Sequence, residues 1–157
     1  MSRMKLEIVD RREFMIASGA AAALLAGFVG SARAKGDPAD EKAFLEQLTK
    51  GAAPAEGKVK LEMPEIAENG ATVPLKVSAE SPMTADNYCK SITIISTENP
   101  VAHVCTFHFT PDSGKAWASI RVRMAKTQEV WAVAEMSDGK FYIGKTTVKV
   151  TVGGCGG

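Results

Sequence analysis

The chain has 157 residues with 45% hydrophobic and 24% charged positions, and its 19 basic and 18 acidic residues nearly cancel. That composition excludes a disordered polyelectrolyte and leaves room for one domain with its own core. The charge balance and the lack of a basic run exclude a polyanion such as nucleic acid as the expected partner.

Residues 1–34 read as an export leader. Arg11-Arg12-Glu13-Phe14 precedes an apolar run from Ile16 to Val29, and Ala32-Arg33-Ala34 supplies a small-residue cleavage site. The paired arginines followed by Phe14 point to the twin-arginine route. Asp10 and Met15 depart from the usual Ser/Thr and Leu of that signal. A membrane anchor is the competing reading, but the apolar run falls short of the roughly 20 residues a span needs. Cleavage after Ala34 predicts a periplasmic domain over 35–157 with no membrane attachment. The leader holds five of the basic and three of the acidic residues, so the remainder carries 14 against 15, a net of −1.

Asp37-Pro38-Ala39-Asp40-Glu41 reads as a helix start, with Asp37 as cap and Pro38 in the first turn. Phe44 and Leu48 lie one turn apart, and Lys50-Gly51 closes the segment, so the pattern predicts a helix over 38–50. Residues 51–57 read as a loop. The period then changes to two: Val59, Leu61 and Met63 alternate with Lys58, Lys60 and Glu62. Glu68-Asn69-Gly70 turns the chain into a second strand through Val73, Leu75 and Val77, where Pro74 implies an edge or a bulge. Strands follow over 88–96 and 101–110, on either side of Glu98-Asn99-Pro100. Pro111-Asp112-Ser113-Gly114 is a turn. Next come strands over 117–125, with Trp117, Ile120, Val122 and Met124 on the expected inner face, and over 130–135. Ser137-Asp138-Gly139 signals a hairpin into a final strand over 141–152, split near Gly144. About seven strands behind one helix predict an all-β fold, an immunoglobulin-like antiparallel sandwich.

Catalytic chemistry is sparse. There are two histidines, His103 and His108, no Gly-rich phosphate loop and no Gly-x-Ser-x-Gly. Asp86 and Asp138 sit at turns, where local hydrogen bonding accounts for them. His103, Cys105 and His108 invite a copper reading, but alternation sets His103 and Cys105 on one face and His108 on the other. An exported structural or copper-binding sandwich is therefore the alternative function, and no metal, cofactor or catalytic residue is assigned.

Three cysteines occur, Cys89, Cys105 and Cys155. An odd number in an exported chain leaves one thiol unpaired or shared between chains. A Cys89–Cys105 disulfide is feasible if the hairpin centres near Thr97; two buried thiols are the other reading. Cys155 stands apart, within Gly153-Gly154-Cys155-Gly156-Gly157. Glycines on both sides predict a thin, flexible arm that holds the sulfur about 10 Å past the last strand residue, at about 3.6 Å per residue. Such an arm suits a carrier that presents a nucleophile to other enzymes. An incidental cysteine and a cross-link between chains compete with that reading. Prenylation fails because only Gly156 and Gly157 follow the cysteine. A C-terminal thiocarboxylate needs intracellular activation, which export denies.

The ending from Val148 to Gly157 resembles the SoxY family, the sulfur-carrier subunits of the thiosulfate-oxidising Sox system. The likeness extends through Arg121-Val122-Arg123-Met124-Ala125-Lys126 and Val133-Ala134-Glu135-Met136-Ser137-Asp138, and the twin-arginine leader fits it. The resemblance implies an immunoglobulin-like fold and a heterodimer with SoxZ. It also implies covalent attachment of substrate at Cys155. The haem enzyme SoxAX would join thiosulfate to that thiol, SoxB would hydrolyse sulfate from it, and SoxCD, where present, would oxidise the remaining sulfur. The chain itself would then be no enzyme. Cys89 and Cys105 are not part of the family motif.

Overall fold

The computed structural model describes residues 40–154. The leader over 1–34 and the helix start at Asp37-Pro38 lie outside the described residues. Helix α1 spans Glu41–Thr49 and is capped by Asp40. Its carboxylate accepts the backbone N–H groups of Lys42 (2.8 Å) and Ala43 (3.1 Å), two of the donors a helix leaves open at its start. Those N–H groups, first of all that of Ala43, hold the Asp40 carboxyl below its ordinary value. The helix ends where Lys50 (φ 55°) and Gly51 (φ 81°) turn left-handed.

Nine strands follow: β1 Ala55–Glu56, β2 Val59–Glu62, β3 Ile66–Ala67, β4 Val73–Ala79, β5 Cys89–Ser96, β6 His103–His108, β7 Ala116–Val122, β8 Gln128–Met136 and β9 Phe141–Val150. The larger sheet runs β1-β9-β8-β5-β6, with β3 also pairing β9, and the smaller runs β2-β4-β7. Seven strands match the expected ones. The two-residue strands β1 and β3 fall in stretches that read as loop or turn, because two residues show no period. Both run parallel to β9, and parallel pairing needs no hairpin signal between its partners.

The two sheets face each other over a core that includes Leu75, Val77, Ile92, Ile94, Ala132, Ala134 and Val148. The outer face of the larger sheet carries a second cluster, with Ile95, Trp131, Val133, Phe141 and Ile143 packed against Phe44 of α1. Strands β5 and β8 are thus buried on both faces, which explains their nearly continuous apolar runs. Among the described residues no helix is long and apolar enough to cross a membrane.

Three expectations change. Strand β7 buries Ala116 and Val122 with Ala118 and Ile120 half-buried, so Trp117 lies on the opposite, open face at 58% exposure. Pro74 is paired with Arg121 in β4, the central strand of its sheet. It sits past Glu62↔Lys76, the last pair with β2, where the strand has only one neighbour. Strand β9 is unbroken through Gly144. Val59 crosses so close there that a Cβ on residue 144 would stand 2.7 Å from its carbonyl oxygen.

Candidate functional site: the root of the C-terminal arm

Cys155, Gly156 and Gly157 lie outside the described residues, and the structure describes the arm as far as Gly154. Up to that point the arm is seated. Strand β9 ends at Val150, and the chain behind it is fastened on two sides. On one side stands the segment from Glu65 to Ala71. Lys149 N–H donates to the Glu65 carbonyl (2.9 Å), Thr151 N–H to that of Ala67 (3.0 Å), and Gly70 N–H to that of Val152 (2.7 Å). The Thr151 hydroxyl donates to the Glu68 carbonyl at 2.9 Å.

On the other side stands Arg123-Met124-Ala125. Met124 is buried at 1% exposure. Its N–H donates to the Gly70 carbonyl (2.7 Å), and its carbonyl accepts the N–H of Gly154 (2.9 Å). One residue thereby ties the Asn69-Gly70 turn to the arm. Asn99 holds that residue in place from outside. Its amide donates to the Arg123 carbonyl (2.9 Å), and its amide oxygen accepts Ala125 N–H (2.9 Å) and the side chain of buried Gln128 (3.0 Å). Gln128 in turn accepts from Ser96 and from Glu98 N–H. Asn69 closes its own turn by accepting Ala71 N–H at 2.8 Å.

The seat works only with glycine. A Cβ on Gly154 would run into the backbone of Gly70 and Ala71, and one on Gly153 into the Ala125 carbonyl. A Cβ on Gly70 would meet the Met124 carbonyl, with Gly154 N at 2.8 Å and Val150 Cγ1 at 2.9 Å. None of these three has a positive φ, so each is glycine for room rather than for torsion. The sequence places Gly153 and Gly154 in the arm, and in the structure both are packed backbone against backbone. Sequence reasoning missed Asn99, Met124 and the partner turn. The Asn69-Gly70 pair was legible as a turn, but nothing in it announces which distant segment lies against it.

The other two cysteines are free thiols and do not pair. Ser91↔His108 through Ile94↔Cys105 centre the β5–β6 hairpin between Asn99 and Pro100, past the Thr97 centre that a Cys89–Cys105 pair needs. Cys105 therefore faces Ile94, and Cys89 faces Met136 of β8. Burial pushes the Cys89 thiol up to about 11, against a smaller lowering by a backbone hydrogen bond from Ser91 to the sulfur. Burial also raises Cys105. Both are poor nucleophiles near neutrality, because the thiolate is the reacting form.

The expected alternation of His103 and Cys105 fails too. A bulge between Ile94 and Ile95 shifts the register. His103 stacks on Phe44 of α1 with ring centroids 5.1 Å apart, while half-buried Cys105 packs against the core between the sheets. Among the described residues no three His, Cys, Asp or Glu side chains gather as a metal site.

The fold is an immunoglobulin-like sandwich whose last strand runs into a seated Gly-Gly root, one residue ahead of Cys155 in the sequence. The model of the family described as sulfur oxidation protein SoxY matches residues 45–155. The solved structure of the sulfur carrier protein SoxY from Chlorobium limicola f thiosulfatophilum is similar at 30% identity and a TM-score of 0.54, covering 87% of this chain and 99% of that one. The chain belongs to the SoxY family, which places it in the Sox sulfur-oxidation system. Superoxide reductase (neelaredoxin) from Ignicoccus hospitalis shares the fold at 16% identity and a TM-score of 0.54, over 60% of this chain and 80% of that one. A putative superoxide reductase from Thermotoga maritima does so at 14% and 0.52, over 66% and 89%. These two likenesses concern the fold alone. No curated protein matches the chain significantly.

Proposed function

We propose that this chain is a covalent carrier of sulfur intermediates in periplasmic thiosulfate oxidation, with the Cys155 thiol as the attachment point. The observation that carries the reading is the position of Cys155. It follows directly on a root that the fold holds at Gly154, in a chain where burial raises the thiols of buried Cys89 and half-buried Cys105. In this reading residues 1–34 direct twin-arginine export and are removed, 35–152 form the carrier domain, and 153–157 carry the substrate.

Loading is a two-electron oxidation. The Cys155 thiol loses its proton, its sulfur bonds to the sulfane sulfur of thiosulfate, and two electrons pass to a haem enzyme of the SoxAX type. A hydrolase of the SoxB type then adds water across the bond to the sulfonate group, releasing sulfate and leaving a persulfide. SoxCD, where present, oxidises that sulfur further. SoxZ is the expected companion subunit. The chain supplies a nucleophile and its delivery and turns nothing over itself.

Intact-mass measurement after incubation with thiosulfate and the loading enzyme tests the assignment. The parent chain gains one thiosulfate adduct, and Cys155→Ser gains none. An undiminished adduct on Cys155→Ser refutes the assignment.

A further inference from the structure

Gly153 and Gly154 are seated by backbone alone, and their seat is built by residues far away in the sequence. Gly70 supplies the floor: its carbonyl accepts from Met124, its N–H donates to Val152, and its missing side chain leaves the space that Gly154 occupies. Asn99 supplies the brace. By gripping the Arg123 carbonyl and the Ala125 N–H, it fixes the peptides on either side of Met124, the residue whose carbonyl receives Gly154. A side-chain amide with two bonds to one bend and a third to Gln128 is a strong local constraint.

We propose that Gly70 and Asn99 are positioning residues for the Cys155 thiol, forming a socket that seats Gly153-Gly154 and sets how far the thiol reaches. The meaning of that reach rests on the carrier reading above; the socket itself does not. While the root is seated, the Cys155 Cα is held one residue past the seat, about 3.8 Å from that of Gly154. A partner enzyme then takes the thiol close against the rim of the sandwich. If the root lets go back to Val150, four more residues are freed, and the reach grows by roughly 14 Å at about 3.6 Å per residue. The socket thus gives the carrier a short reach when seated and a long one when released. Asn99 acts at a distance, through Met124, and touches no substrate.

The test uses the full chain and no sulfur compound. Amide hydrogen exchange should show Gly154 N–H at least tenfold slower than an unstructured amide. In Asn99→Ala its protection should fall at least fivefold, with the amides of Ile94 and Val133 unchanged. A nitroxide on Cys155 should give a restricted spectrum in the parent and a mobile one in Asn99→Ala and in Gly154→Ala. The double variant should be no more mobile than either single one, because both undo one seat. An unprotected Gly154 amide in the parent overturns the proposal. So do equal losses at Gly154, Ile94 and Val133, or mobilities that add. These readouts are independent of loading, so the socket can fail while the mass test on Cys155→Ser succeeds, and the reverse.

Discussion

Strand β9 and the chain just past it approach foreign backbone closely at Gly144, Gly153 and Gly154, and Gly144 and Gly154 are held in different ways. Gly144 pairs with Ala132 of β8, its neighbours Tyr142 and Ile143 pair with β1, and Val59 of the opposite sheet lies over it. Gly154 has no strand beside it. It rests on one hydrogen bond to Met124 and on contact with the Gly70 turn. The first glycine lets two sheets come together, so its loss is felt by the whole core. The second lets a terminal segment sit down, so its loss is felt locally. Equal crowding can thus serve stability in one place and position in another.

Substitution should separate the two. Gly144→Val is expected to have the largest effect, a loss of about 1–3 kcal/mol typical of overpacking, read as a lower urea midpoint with an unchanged slope. An unchanged midpoint would mean that β2 yields freely over β9. Gly154→Ala is expected to cost less, roughly the 0.5–1.5 kcal/mol of one hydrogen bond, in the same urea titration. A loss matching that of Gly144→Val would make the root part of the global fold and erase the contrast.

The smallest effect concerns Cys89, which lies in the core that Gly144 helps to close. Its folded value is raised from 9.0 to about 11, so the fold favours the neutral thiol. That contribution is fully present below pH 9 and is lost as pH rises toward 11. Stability of the parent should therefore fall more steeply over that window than that of Cys89→Ala, measured by urea unfolding at several pH values. Parallel curves would show that Cys89 reaches water more readily than its burial implies.

Much of the sandwich was legible because its seven longer strands carry a two-residue period or a continuous apolar run between clear turns. Details that depend on register were not. The inner face of β7 was read one residue out at Trp117, since an exposed indole carries the same pattern weight as a buried one. The helix cap is Asp40, three residues after the Asp37 that the Pro38 beside it suggested. The bulge at Ile94–Ile95 moved His103 to the helix side of its sheet, and the hairpin centre put Cys105 opposite Ile94. At the candidate site, the cysteine and its glycines stood out in the sequence. Their partners did not, because Gly70, Asn99 and Met124 are recruited by tertiary contact from three separate loops. Glycine is also ambiguous on paper: the same letter signals looseness and close fit, and only the neighbouring backbone tells them apart.

The seated root has a consequence for the order of folding. The Thr151 hydroxyl reaches the carbonyl of a residue 83 positions earlier, and β3 and β9 pair across the same interval. Closing so long a loop is slow and comes after local hairpins have formed. Met124 and Asn99, which lie between the two ends, must already be in place to receive Gly154. The seat is therefore assembled late, by a chain whose remaining strands are complete, so a seated root also marks a finished molecule.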